Sequence, residues 1–268
     1  PDMAAGCSMA DMAAIEQVEQ CWETLGRILP VEEAVMPAVY VNSAAVLKAF
    51  CGEHGGITCT SSNARAVIQW SWARREKILF FPDEHLGRNT ANTMGIPREQ
   101  MIVWDPNMPK GGNTVEAIKR ARLILWDGHC SVHQMFQPAH VDYFRKQYPD
   151  GKVIVHPECH ENVVNKADLV GSTEFIIKTV SAAPAGTTWA VGTELNLVNR
   201  LKRLQPDKRV FFLSSTVCQC ATMFRIDASH LCWAIENLAE GQVVNRIVVP
   251  DDEKAWAKIA LDRMMAVS

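Results

Sequence analysis

Ten short apolar runs punctuate the chain without clean polar alternation. They are AVYV (38–41), GITCT (56–60), KILFF (77–81), MIVW (101–104), LILW (123–126), KVIV (152–155), LVGS (169–172), TWAV (188–191), RVFFL (209–213) and RIVV (246–249). Gly, Pro, Asp or Ser bound them. A strand with one wet face alternates; a strand covered on both faces does not. Stretches 9–26, 138–148, 196–205, 227–239 and 252–265 carry helical spacing instead. Strand alternating with helix requires a parallel sheet with helices on its faces, an α/β fold.

The order of elements recurs. A loop cysteine, Cys7, precedes a helix and a strand ending in YVNS (40–43), and a further strand ends in TCTSSNA (58–64). A second pass starts at Cys130 and runs through VIVHPE (153–158) to LVGSTE (169–174). A third starts near TVCQC (216–220) and runs through RIVVPDD (246–252) to a last helix. We therefore expect three similar αβα units around a pseudo-threefold axis, over 1–127, 128–215 and 216–268. The third is cut short at residue 268, and its missing half is expected from residues before Pro1.

Bulk properties narrow the function. A chain of 268 residues can bury a sizeable core. A net charge of −3 gives no basic excess for nucleic acid. No apolar run reaches the roughly 18–20 residues of a membrane span. Nine cysteines, odd in number and scattered in spacing, argue against a secreted disulfide scaffold and for a reducing cytoplasm. Cys21, Cys51 and Cys232 fall in helical patterns and read as small buried hydrophobes, as do Cys59 and Cys159.

Ligands of parallel α/β sheets bind beyond the carboxyl ends of the strands. Every polar cluster here falls at such an end. Three thiols from distant loops suit a soft metal centre. Structural zinc usually takes four ligands, often through C-x-x-C, which is absent. Three separated thiolates fit a [4Fe–4S] cluster with one iron open. Unrelated loop thiols are the plain alternative. TSSNARAVIQ (60–69) and GSTEFIIK (171–178) place hydroxyl residues at helix starts, which cap the helix and also suit an anion. His156 and Glu158 lie two apart at a strand end, a pair able to move protons or to form a structural hydrogen bond. His133 lies three after Cys130, and Tyr40 and Asn42 fill the equivalent slot of the first unit. His54, His85, His140, His160 and His230 read as surface or cap residues.

PDMAAGCSMAD, VYVNS, TCTSSNA, FFPDEHLGRN, GHCSVH, VIVHPEC, ADLVGST, VGTELNLVNRL and CQCATMFRID stand in this order. Together they resemble the quinolinate synthase (NadA) family from Pro1 to Ser268. The resemblance implies three similar α/β domains and a [4Fe–4S] cluster on Cys7, Cys130 and Cys220, with Cys218 a neighbour of the third ligand. It implies condensation of iminoaspartate with dihydroxyacetone phosphate to quinolinate, losing phosphate and two waters, in NAD biosynthesis. An open iron acts there as Lewis acid, and a functional link to the enzyme supplying iminoaspartate follows. By the same resemblance Tyr40 and Asn42 contact substrate, and Ser61, Ser172 and Thr173 hold anionic groups. His133 and His156 bind carboxylate or reacting oxygen, and Glu158 transfers protons. Family members also carry an N-terminal segment with His-Asn-Tyr and GDS-like motifs, absent here, which implies an incomplete pocket and weak or no activity. The competing reading is a non-catalytic iron–sulfur or metal-binding redox sensor.

Overall fold

The computed structural model describes residues 2–216 and 220–267. The first unit contains α1 (Ile15–Gly26), α2 (Val31–Ala34), β1 (Val35–Tyr40), α3 (Ala45–Glu53), β2 (Ile57–Cys59), α4 (Ala64–Trp72), β3 (Lys77–Phe81), α5 (Glu84–Thr93), β4 (Met101–Trp104), α6 (Val115–Arg120) and β5 (Leu123–Trp126). Its sheet has the order β2-β1-β3-β5-β4, and every pairing is parallel. The missing alternation has a direct cause. Val35, Val39, Leu79, Phe81 and Ile124 project into one apolar cluster, while Met36, Ala38, Ile78, Phe80 and Leu125 enter another. The pleat sends successive side chains to opposite faces, and both faces are dry.

The second unit contains α7 (Ser131–Gln134), α8 (Pro138–Gln147), β6 (Lys152–Val155), α9 (Glu161–Val164), β7 (Leu169–Val170), α10 (Thr173–Ala182), β8 (Thr188–Gly192), α11 (Leu195–Leu204) and β9 (Arg209–Phe212). Its parallel sheet runs β7-β6-β8-β9. Val153 and Val155 serve one cluster, Ile154 and Val191 the other.

The third segment differs from its expectation. It holds α12 (Ala228–Ala239) and α13 (Asp251–Val267), but residues 246–249 form no strand. Ile247 and Val248 are each 71% exposed, and 246–249 pairs with neither described sheet. Without ladder partners, β-branched residues alone do not make a strand. Helix α12 likewise leaves Leu231, Trp233, Ile235 and Leu238 exposed, and Cys232 is exposed rather than packed.

Helix α13 crosses back to the first unit and packs on α3 and β2 through Ala257, Ala260 and Met264. Gly52 permits this approach, because a Cβ there would lie 2.0 Å from the Trp256 carbonyl oxygen. Arg263 Nη1 adds a hydrogen bond to Gly56 O at 2.7 Å. Substituting Gly52→Ala will destabilise the protein by about 1–3 kcal/mol through overpacking, despite alanine's better helix propensity. Thermal melting checks this, and an unchanged or raised midpoint would refute the seating of α13.

Chain order reverses within both sheets. After β1 the chain moves outward to β2 and then crosses back to β3; after β6 it moves to β7 and crosses back to β8. Crossover helices leave a crevice at such a switch point, beyond the strand carboxyl ends. Of the strands that border these two crevices, β1 ends in Tyr40 and β6 in Val155, just before His156.

Candidate active site

Those strand ends meet one cavity of about 410 Å³. Tyr40 and Asn42 reach it from β1, His156 and Glu158 from β6, and Thr193 and Glu194 from β8. Cys7, Cys130 and Cys220 line it too, together with His133 and Thr173. Cys218 lies outside the described residues. The three lining thiols are partly accessible, whereas Cys21, Cys51, Cys59 and Cys159 are buried in the cores as expected.

Protein contacts tie the cysteine loops together. Trp126 Nε1 donates to Met12 O at 2.8 Å, and His129 N lies 3.2 Å from Met12 Sδ, joining the Cys7 and Cys130 segments. Arg225 Nη1 pairs with Asp2 Oδ2 at 2.5 Å, joining the Cys7 and Cys220 segments. Gly128 is required for the turn before Cys130, since a Cβ would sit 2.1 Å from Pro82 O.

At the cavity wall His133 Nδ1 lies 3.0 Å from Glu158 Oε2, an ion-pair distance without hydrogen-bond alignment. His133 Nε2 is 3.3 Å from Thr193 Oγ1. The His133 and His156 rings stack, with centroids 4.7 Å apart. Glu158 N donates to His156 Nδ1 at 3.3 Å, which leaves the proton of a neutral His156 on Nε2. All three side chains are buried.

Burial opposes charge on His133, but the Glu158 carboxylate and the Cys130 sulfur together outweigh it and hold the imidazole above its ordinary range. Burial also opposes charge on Glu158, and the two imidazoles outweigh it, holding the carboxyl below its range. His156 falls to about 4, chiefly through burial. Burial, and then the charge of Glu158, push the Tyr40 phenol up, so it stays a donor to that carboxylate. Near neutrality the wall therefore presents an imidazolium–carboxylate pair beside a neutral imidazole. Separating the ionisation of close groups in this way provides distinct acid and base roles.

The donor set fits a metal centre. Cys130, His133 and Glu158 each offer a ligand atom within 4.8 Å of the others. Burial pushes the Cys7 thiol up, so a cation would be needed to hold it as thiolate.

Two predicted anion residues lie elsewhere. Ser61 lines a separate cavity of about 140 Å³ with Ser62, Arg65, Asn89 and Gly171. Ser172 is buried and caps α10, its Oγ accepting from Phe175 N at 3.3 Å. Thr173 alone of the three lines the larger cavity.

Several neighbours escape a sequence reading. Thr193 follows β8 directly, the one position whose strand-end location signals it. Asp83 is fully buried, caps α5 through Leu86 N at 2.6 Å, and leaves Oδ2 without a hydrogen-bond partner among the described residues. Burial, and then Glu158, push its carboxyl well above its ordinary range. His85, expected at the surface or a cap, is buried beside His160, ring centroids 5.4 Å apart, because α5 packs on α9.

Burial lowers His85 to about 4, with opposing help from Glu84 and a further lowering by His160. An unfolded histidine titrates near 6.5, so between these values the unfolded chain binds more protons. The stability due to neutral His85 is therefore complete above about pH 6.5 and is lost as pH falls toward 4. Urea unfolding across this range will show a steeper acid decline for the parent than for His85→Phe. Parallel curves would contradict the burial of a neutral ring.

Fold and cavity together define a doubly wound α/β protein with a cysteine-lined acid–base site. The family model described as NadA, quinolinate synthetase A protein, matches residues 1–266, and the chain belongs to this family of enzymes. A curated relative named quinolinate synthase from Rhodopirellula baltica is 59% identical over 268 residues, covering 100% of this chain and 68% of the relative. Others of the same name, from Herpetosiphon aurantiacus and Corynebacterium glutamicum, are 56% and 52% identical; this chain covers 72% and 68% of them. No helix among the described residues is long and apolar enough to cross a membrane.

Proposed function

We propose that this chain carries the quinolinate synthase reaction. Iminoaspartate and dihydroxyacetone phosphate combine to give quinolinate, phosphate and two waters, supplying NAD biosynthesis in a reducing cytoplasm. One observation carries the reading: three thiols share a single cavity with Tyr40, His133, His156 and Glu158 in a chain of this family. Cys7, Cys130 and Cys220 would hold a [4Fe–4S] cluster, whose open iron supplies Lewis acidity toward a substrate hydroxyl or carboxylate when bound.

The chain's own residues supply the rest. Glu158 accepts a proton during condensation, and the His133 imidazolium donates one toward a departing hydroxyl. Neutral His156 hydrogen-bonds a reacting oxygen through Nε2. Tyr40 and Asn42 orient the polar substrate. Thr173, at the N-terminus of the ten-residue α10, supports an anionic group. Ser61 and Ser172 would serve that role only from beyond the present lining, with Ser61 in the adjacent cavity. The enzyme that makes iminoaspartate is the expected functional neighbour.

A second reading has its own observation. The mixed sulfur, nitrogen and oxygen set of Cys130, His133 and Glu158 would suit one zinc ion. Anaerobic purification separates the two: a brown protein with about four irons per chain supports the cluster. Quinolinate formation from the two substrates then supports the enzyme over a metal-binding redox sensor. A colourless zinc protein would overturn the cluster assignment.

A further inference from the structure

Helix α5 is fixed to the first sheet yet ends its reach in the second unit. Its start is capped by Asp83, and Gly87 brings it so near the sheet that a Cβ would lie 2.5 Å from Leu125 Cδ2. Two residues further along, on the roughly opposite side of the helix, sits Asn89, 2% exposed, a residue of modest helix propensity in a helix interior. Its Nδ2 donates to Pro157 O at 2.7 Å and to Cys159 O at 2.8 Å. Both partners can only accept, which settles the orientation of the carboxamide. Both amide hydrogens are thereby used, while Oδ1 is buried with no hydrogen-bond partner among the described residues. A buried acceptor left unpaired costs stability, so this arrangement is not one that packing alone would select.

The residue between those two carbonyls is Glu158. Its own segment is short of regular bonding: β6 has ended at Val155, and Pro157 has no N–H to give. His156 N reaches Gly192 O and Cys159 N reaches His156 O, both at 3.0 Å. Nothing in the second sheet's ladder fixes the peptide planes on either side of the carboxylate.

We propose that Asn89 is a positioning residue, clamping the backbone on both sides of Glu158 so that its carboxylate faces His133 and the cavity. This rests on the reading of Glu158 as the proton-transfer group. The first unit thereby sets the aim of a group borne by the second.

Asn89→Leu removes both donors at similar size. In the intact, metal-loaded chain it will lower kcat by about 10- to 100-fold, with a much smaller change in KM. In a Glu158→Gln background the same substitution will change the residual rate by less than about twofold, because the aimed group is already gone. Amide hydrogen exchange over residues 156–160 will accelerate while that of the β3 amides stays unchanged. Should Asn89→Leu not fold, Asn89→Ser carries the same comparison. Equal losses in both backgrounds would reveal mere domain glue and overturn the proposal, as would unaltered exchange. If the parent makes no quinolinate, the enzymatic reading fails, and the exchange measurement still decides the clamp.

Discussion

Replacing the proposed cluster ligands Cys7, Cys130 or Cys220 singly with alanine will strip the chain of iron and reduce quinolinate formation to background. Each thiol lines the same cavity, and each comes from a different segment of the chain. Losing one leaves two protein ligands for a cluster that needs at least three to be retained with one iron open. The effect is therefore all-or-none rather than graded. Cys232→Ala is the control, since that thiol is exposed on α12, and its iron content will match the parent. Cys218→Ala will also keep its iron if Cys220 is the third ligand. Iron and sulfide analysis with the visible spectrum reads all five variants. Full iron in Cys220→Ala would move the third ligand elsewhere.

Glu158→Gln will retain iron and lose about 10²- to 10⁴-fold in turnover, the range for removing a positioned general acid or base. The glutamine keeps shape and most hydrogen bonding, so the loss reports charge and proton transfer. It also removes the counter-ion of His133. Burial is then opposed only by Cys130, and the imidazole's titration drops below that of the parent, where Glu158 also holds it up. The variant's residual activity will accordingly depend on pH within a range where the parent is flat. A variant retaining more than about a tenth of parental turnover would remove Glu158 from the chemistry.

Much of the scaffold was legible because fully buried parallel strands write an apolar run with no second period. KILFF, MIVW and LILW became β3, β4 and β5 at their expected bounds. RIVV carries the same local signal and forms no strand, since a strand exists only beside another. The strand-end rule brought Tyr40, Asn42, His156 and Glu158 to one cavity, because loop direction follows from sheet topology. It could not separate Ser61 from Thr173, whose helix starts look alike in sequence but open into different cavities. Asp83 and Asn89 were hidden for another reason. Their importance comes from contacts across units, such as that between positions 89 and 157, and no local pattern encodes these.

The links among Met12, Trp126, His129, Asp2 and Arg225 carry a consequence for the life history of the proposed cluster. The sulfur-bearing loops are braced against one another by protein atoms. Oxidative loss of iron would then leave a standing cup rather than a collapsed wall, and repair would require only fresh iron and sulfide, without refolding.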